Sequence, residues 1–378
     1  MSLQFITGNS GNGKTKYLFN RIVKEAKANP RDNYLVIVPE QFTMQTQRQL
    51  VDLSENKAIM NIDVLSFKRL AYRVFDELGI TNLTVLEETG KNLVLRKLAA
   101  QEADKLGVIG RNLNRIGYIS EVKSLLSELV QYNISPEELG RYIASGRLSD
   151  TLSDKLKDVL VLYEAFEKFM QDKYITAEEI LNVLSNVAEE SAILRNSVIA
   201  FDEFTGFTPI QNQLIKKLFV ISKKIYVTLT IDCREDIFKS RGMQELFDMP
   251  KRTVKSLTEM AAFYGIEVEE PIILDKNYRL SENEELSFME QQLFRKRRHS
   301  FKKAPKHIHI DCLRDPKQEL TKIARRINEL VRNENLRYRD IAIVTGDVNI
   351  YAGYVREIFD KYNIPYFIDA TQEILFHP

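Results

Sequence analysis

The residues best equipped for chemistry stand near the start of the chain, in the run Gly8-Asn9-Ser10-Gly11-Asn12-Gly13-Lys14-Thr15. This is a GxxxxGK[ST] spacing. Its glycines allow successive backbone N–H groups to turn inward around an anion, and a helix beginning there adds its partial positive charge. Lys14 would reach the outer phosphates, and Thr15 would hold Mg²⁺ through its hydroxyl. Gly8, Gly11, Gly13, Lys14 and Thr15 are therefore the candidate nucleotide-binding residues, with ATP and Mg²⁺ as the expected ligands.

Hydrolysis needs two further groups, a carboxylate for the metal and one to position the attacking water. "NSVIAFDEF" offers both, with Asp202 toward Mg²⁺ and Glu203 as the catalytic candidate beside the water. A strand ending in two solvated acids would read the same way.

These groups must be held by strands and helices. "LQFIT" precedes the glycine run, and "KYLFNRIVKEAKAN" follows it with Leu18, Ile22 and Ala26 at helical spacing. That is the strand, loop and helix context the motif requires. Val198–Phe201 reads as a buried parallel strand, whose C-terminal end would lie at the ligand crevice. Tyr34–Val38, Ile62–Ser66 and Lys224–Ile231 are further β-branched runs, separated by helical or loop sequence. The alternation predicts an α/β fold with a mostly parallel sheet. From about Glu87 to about Ala192 the pattern turns helical, with apolar residues at three- and four-residue steps. Ser135 is the expected cap of a helix opening at Pro136, and Leu156, Val159, Leu160, Tyr163 and Phe166 are expected core.

At 378 residues the chain can hold two or three domains, and its net charge of +1 gives no sign of a nucleic-acid or membrane partner. Any such contact must come from a local patch. The densest is "FRKRRHSFKKAPKHIH", Phe294–His309, which fits a DNA-phosphate contact or a solvated interdomain linker. Its histidines lack carboxylates or cysteines at ligand spacing. No apolar run is long enough to span a bilayer and the start is unlike a signal peptide, so no membrane partner and a cytoplasmic location are expected. Cys233 and Cys312 read as two reduced, buried thiols.

The order of these pieces resembles the first motor half of UvrD/RecB-type DNA helicases. More closely it resembles the N-terminal region of the AddB family, through "VPEQFT", "DVLSFKRLAYRVFDELG", "FDEFTGFTPIQ" and "NYRLSENEELSFME". The resemblance implies a RecA-like P-loop domain over 1–82 plus 193–300, an all-helical insert over 83–192, and the start of a second RecA-like domain over 301–378. It implies that Arg279, in "KNYRLS", reaches the γ-phosphate, and that Ser66 and Phe67 run beside single-stranded DNA. Packing alone would equally explain Ser66 and Phe67. The implied partners are an AddA-type helicase–nuclease subunit and DNA, in the processing of double-strand breaks for recombinational repair. An iron–sulfur cluster and a nuclease domain are expected beyond Pro378, the chain reading as a fragment of a longer protein. An autonomous UvrD-like helicase, or a DNA-recognition scaffold that no longer uses nucleotide, are the alternatives.

Three departures from active relatives bear on turnover. Only seven residues precede Gly8, leaving no room for the upstream glutamine that reads adenine. In "IDCREDIF", Glu235 takes the place of a glutamine that senses γ-phosphate; pointing the same way, its carboxylate would face an anion. The arginine finger of the second motor domain is not expected within these residues. The sequence thus predicts a loop that binds nucleotide and hydrolyses it slowly when alone.

Overall fold

In a computed structural model of the chain, the structure describes residues 1–81, 84–108, 110, 116–146, 148–170, 174–295 and 299–368. Of the basic run singled out in the sequence, 296–298 lie outside the described residues. Two compact units divide the chain, Met1–His299 and Ser300–Pro378.

The first unit opens with β1 (Ser2–Gly8), α1 (Lys14–Ala28), β2 (Tyr34–Ile37), α2 (Thr43–Leu53), β3 (Ile62–Leu65) and α3 (Phe67–Leu78). After β4 (Val85–Leu86) come α4 (Glu88–Gln101), α5 (Ile116–Gln131), α6 (Pro136–Ala144) and α7 (Asp150–Met170). The chain returns through β5 (Ile175–Thr176) and α8 (Ile180–Val187) to β6 (Val198–Phe201), α9 (Pro209–Ile221) and β7 (Lys224–Thr230). It closes with α10 (Asp248–Phe263), β8 (Glu267–Val268), β9 (Ile272–Leu274) and α11 (Glu284–Gln292).

Seven strands form one sheet in the order β3-β2-β6-β7-β1-β8, with β9 pairing β1 further along the same edge, and every pairing is parallel. Side chains alternate across each strand. Ile199 and Phe201 therefore join Leu35, Ile37 and Val227 in a core closed by α3, α8, α9 and α10. Val198 and Ala200 face the other way, into a core with Ile6, Val36 and Tyr226 under α1 and α2. With both faces covered, the strands read as continuous apolar runs, the signature that makes them visible in the sequence. The register sets Gly8 opposite Thr230 and Phe201 opposite Val227, so β1 and β7 end level with one another and β6 ends three residues earlier, with Asp202 following it.

Helices α4 to α7 build a separate apolar cluster around Leu95, Leu126, Leu162 and Phe166. Ser135 caps α6 by accepting from the Glu138 N–H at 3.3 Å, and Pro136 takes the first turn, as the sequence predicts. Val159, Tyr163 and Phe166 are buried; Leu156 and Leu160 pack partly buried against them. The two-residue pair β4–β5, Val85 with Ile175 and Leu86 with Thr176, is a strand contact that the helical pattern does not reveal.

The second unit carries α12 (Pro316–Asn333) and α13 (Val348–Lys361), which bury Leu320, Ala324, Ile327, Ile358 and Phe359 together. The runs His307–Cys312 and Ile364–Ile368, rich in β-branched and aromatic residues, form no strand. Ile310 is 94% exposed and Phe367 89%, while Ile364 joins the α12–α13 core. β-propensity needs a neighbouring strand to pair with, and none adjoins these runs among the described residues. The thiols also depart from expectation: Cys233 is half-buried and Cys312 exposed, both free. No helix among the described residues is long and apolar enough to cross a membrane.

Candidate nucleotide site

The glycine run leaves β1 at the C-terminal edge of the sheet and ends at Gly13, the residue that opens α1. Two of its glycines are dictated by what lies against them. A Cβ on Gly8 would meet the Leu274 carbonyl oxygen at 2.5 Å. Gly11 adopts φ +87°, and a Cβ there would stand 2.8 Å from both Arg279 Cβ and Asn277 Oδ1. The segment after β9 thus lies directly on the loop. Tyr278 and Arg279 donate their backbone N–H groups to the Gly11 carbonyl at 3.0 and 3.3 Å, and Asn277 Nδ2 donates to the Ser10 carbonyl at 3.0 Å.

Lys14 folds back over the loop and donates from Nζ to the carbonyls of Gly8 at 3.1 Å and Asn9 at 3.0 Å. Burial pulls its ammonium below the ordinary lysine range, while Glu203 and Asp202 oppose that pull. The next residue, Thr15, hydrogen-bonds from Oγ1 to Asp202 Oδ1 and to Glu203 Oε1, each at 3.3 Å. Asp202 follows β6 directly and is 1% exposed. Its Oδ1 also accepts from Thr228 Oγ1 of β7, whereas its Oδ2 is buried with no hydrogen-bond partner among the described residues. Burial pushes this carboxyl up to about 6, against the Thr228 and Thr15 bonds that favour its ionised form. Glu203, exposed, turns the chain at φ +64°, a left-handed conformation uncommon for a side chain of this kind.

A bare carboxylate oxygen in a dry setting is costly. A hard cation would satisfy it, and hydroxyl plus carboxylate is the oxygen donor set that Mg²⁺ prefers. Thr15 and Asp202 therefore fit Mg²⁺ by chemistry as well as by position. The surrounding cavity measures about 740 Å³ and is lined by the loop, Asp202, Glu203, Tyr278, Arg279 and one face of α2. That volume lies in the range of small-ligand clefts.

The structure thus brings Gly8, Gly11, Gly13, Lys14, Thr15, Asp202, Glu203 and Arg279 together. Ser66 and Phe67 lie elsewhere. Ser66 is buried, caps α3 by accepting from the Arg69 N–H at 3.3 Å, and donates to Glu40. Phe67 stacks with Phe201 at 5.8 Å between ring centroids and meets Phe204 edge-on at 5.5 Å, inside the core on the α3 side.

Glu235 does not face the glycine loop. Its Oε2 lies 2.6 Å from Lys251 Nζ, in a second cavity of about 680 Å³. Lys251 is buried, and a buried ammonium draws in counter-charge from both Glu235 and Glu245. The carboxylate–anion conflict raised by the sequence is thereby removed.

Sequence reasoning missed several contributors. Thr228 is one of two threonines in a largely apolar strand and signals nothing alone. Asn9 occupies an unspecified position of the glycine motif, and Asn277 lies far from that motif in sequence. Tyr278, 64% exposed with its ring beside Gly13 and under Lys276 Nζ at 4.9 Å, was within reach of reading, since an aromatic residue adjoins Arg279.

A family model described as "ADDB, N-terminal" matches residues 5–290. Curated relatives named as a subunit of an ATP-dependent helicase/deoxyribonuclease align along the chain. The protein from Lachnoclostridium phytofermentans is 38% identical over 383 residues, covering 100% of this chain and 33% of the relative. That from Clostridioides difficile is 34% identical over 384 residues, covering 100% and 33%. That from Clostridium tetani is 33% identical over 382 residues, covering 99% and 33%. The chain spans about a third of the length of these relatives.

Proposed function

The chain belongs to the AddB N-terminal family, and on that premise we propose that it forms the nucleotide-binding region of an AddAB-type ATP-dependent helicase–nuclease. In this reading it acts with an AddA-type partner on DNA at double-strand breaks, in the cytoplasm, during recombinational repair. Residues 1–82 with 193–300 are a RecA-like P-loop domain, 83–192 its helical insert, and 301–378 the start of a second RecA-like domain. The parallel order β6-β7-β1, with the glycine loop leaving β1 and Asp202 following β6, supports the first assignment. The separate core of α4 to α7 supports the second.

The observation that carries the proposal is the convergence of Thr15 with Asp202 and Glu203 below Lys14. When a triphosphate enters, Lys14 turns its N–H groups from the Gly8 and Asn9 carbonyls toward it. Its charge meets the outer phosphates. Thr15 and Asp202 would hold Mg²⁺, which neutralises developing phosphate charge when bound. Glu203, exposed at the cavity wall, accepts a hydrogen bond from the attacking water and orients it. Arg279 contributes charge from the far side of the loop. Tyr278 presents an aromatic face on which a base can stack. Contact of DNA with Ser66 or Phe67 requires the Ser66–Glu40 bond and the phenylalanine cluster to open.

The test is binding of a fluorescent ATP analogue with Mg²⁺ to the intact protein. Saturable binding lost in Lys14→Ala is the expected result. Binding unchanged in that variant would place the nucleotide elsewhere.

A further inference from the structure

We infer that Asn9 is a positioning residue that ties the occupancy of the glycine loop to the 232–236 turn and α11, giving the loop a mechanical readout in the neighbouring charged cavity. The inference rests on the proposed reading that the loop binds a triphosphate.

Asn9 stands in the glycine run yet is 5% exposed. Both ends of its amide are engaged across the fold. Nδ2 donates to Glu290 Oε1 of α11 at 2.8 Å, and Oδ1 accepts from the Cys233 N–H at 2.9 Å. Its own carbonyl accepts from Lys14 Nζ at 3.0 Å and from the Asn12 N–H at 3.2 Å. One residue thus touches the phosphate-seeking lysine, the turn after β7 and the helix after the Arg279 segment.

These contacts close into a ring. Arg295 Nε donates to Asp232 Oδ2 at 2.8 Å, and its Nη2 lies 3.6 Å from Glu290 Oε1. Asp232 is 1% exposed, and it precedes the Cys233 N–H that Asn9 accepts. Arg234 completes the anchoring of Asp232, from Nη2 at 2.6 Å and Nε at 2.8 Å. Burial alone would push the Asp232 carboxyl up, but the two guanidinium groups outweigh it and hold it well below the usual range. The turn is therefore rigid where Asn9 grips it. Glu235 takes no part in this link, because Lys251 holds it on the other side of the turn.

The physical consequence concerns the Asn9 peptide. A phosphate competes with the Gly8 and Asn9 carbonyls for Lys14. Freed of the ammonium, the Asn9 peptide can reorient, and its side chain cannot follow without moving the Cys233 amide or Glu290. Packed polar networks have discrete arrangements rather than continuous ones, so a small shift at the loop is passed to the ring.

The experiment is hydrogen exchange on the intact protein with and without ATP and Mg²⁺, alongside Kd for a fluorescent ATP analogue. In the unaltered protein, nucleotide is expected to change exchange at the Cys233 amide by about 5- to 150-fold, the usual span of inter-site coupling. Glu290→Ala lies outside the phosphate cradle; it is expected to keep Kd within about threefold, under 1 kcal/mol, and to abolish the nucleotide-dependent change. Asn9→Ala should abolish the change also. Glu290→Gln, which leaves an acceptor for Asn9, should restore part of it. A nucleotide response at Cys233 that survives in both alanine variants would overturn the inference while leaving the nucleotide site standing. Absence of nucleotide binding to the unaltered protein would overturn the reading on which it rests, and the inference with it.

Discussion

Thr15 and Asp202 are 187 residues apart in the chain, and the threonine hydroxyl lies 3.3 Å from the aspartate Oδ1. One closes the glycine loop and the other ends a strand two places away in the sheet. No local feature of either segment requires that meeting; the parallel order β6-β7-β1 does.

Lys14 is the charge that a phosphate would meet first. Lys14→Ala removes a charge-assisted contact of about 1.5–3 kcal/mol, so nucleotide affinity is expected to fall roughly 10- to 100-fold. Titration with a fluorescent ATP analogue measures it. Thermal stability should change little, because Lys14 bonds only to its own loop.

Asp202 sets a pH dependence whose sign runs opposite to that of an ordinary paired carboxylate. Its folded-state pKa of about 6 lies above the reference 3.8. Between these values the folded protein holds the proton more tightly, so stability falls as pH rises through this window, and the loss is complete above it. Without magnesium, Asp202→Asn is expected to stabilise the protein at neutral pH by up to about 3 kcal/mol, and by nothing near pH 4. Melting curves at both pH values check this. The same substitution should abolish magnesium-dependent turnover.

Gly11→Ala would push a methyl group against Arg279 Cβ and Asn277 Oδ1 from a left-handed backbone. A loss of about 1–3 kcal/mol in stability is expected, with nucleotide affinity weakened in parallel. Chemical denaturation and nucleotide titration on one sample separate the two.

Lys91 is 2% exposed and pairs with Glu88 at 2.9 Å and Glu178 at 2.8 Å. Glu178→Ala leaves the buried ammonium with Glu88 alone, and Lys91→Met leaves the largely buried Glu178 carboxylate without its cation, so each should cost about 3–5 kcal/mol, whereas Lys91→Met combined with Glu178→Leu should be near neutral. A double variant that loses as much as either single one, measured by urea unfolding, would show instead that packing around the lysine stem dominates.

Much of the site was legible because its signals are local. The glycine run carries its own geometry, and Val198–Phe201 is apolar throughout because both faces of the sheet are covered. The strand ends read from sequence fall within a residue of those observed. What was not legible depends on partners distant in sequence. β8 and β9 are two and three residues long, and only the edge of β1 makes them strands. The direction of Glu235 is fixed by Lys251 in α10, a pairing that the Glu235 position does not announce. Phe67 reads as an exposed or a buried aromatic with equal ease until Phe201 and Phe204 are placed beside it. In the second unit, His307–Cys312 and Ile364–Ile368 have β-type composition but no strand beside them among the described residues, so composition alone does not make them strands.

The strand that leads into the glycine loop has neighbours made much later: β7 on one side, and β8 and β9 on the other. During synthesis on the ribosome, which proceeds from the amino end, Ser2–Gly8 must wait for more than 200 residues to emerge before its first pairing partner, beginning at Lys224, exists. Long-range pairing of this kind is slow, and a waiting apolar strand is exposed to wrong partners. A nascent chain cut before Leu274 would lack the carbonyl that abuts Gly8, so the glycine loop takes its packed form only after most of the first unit has been translated.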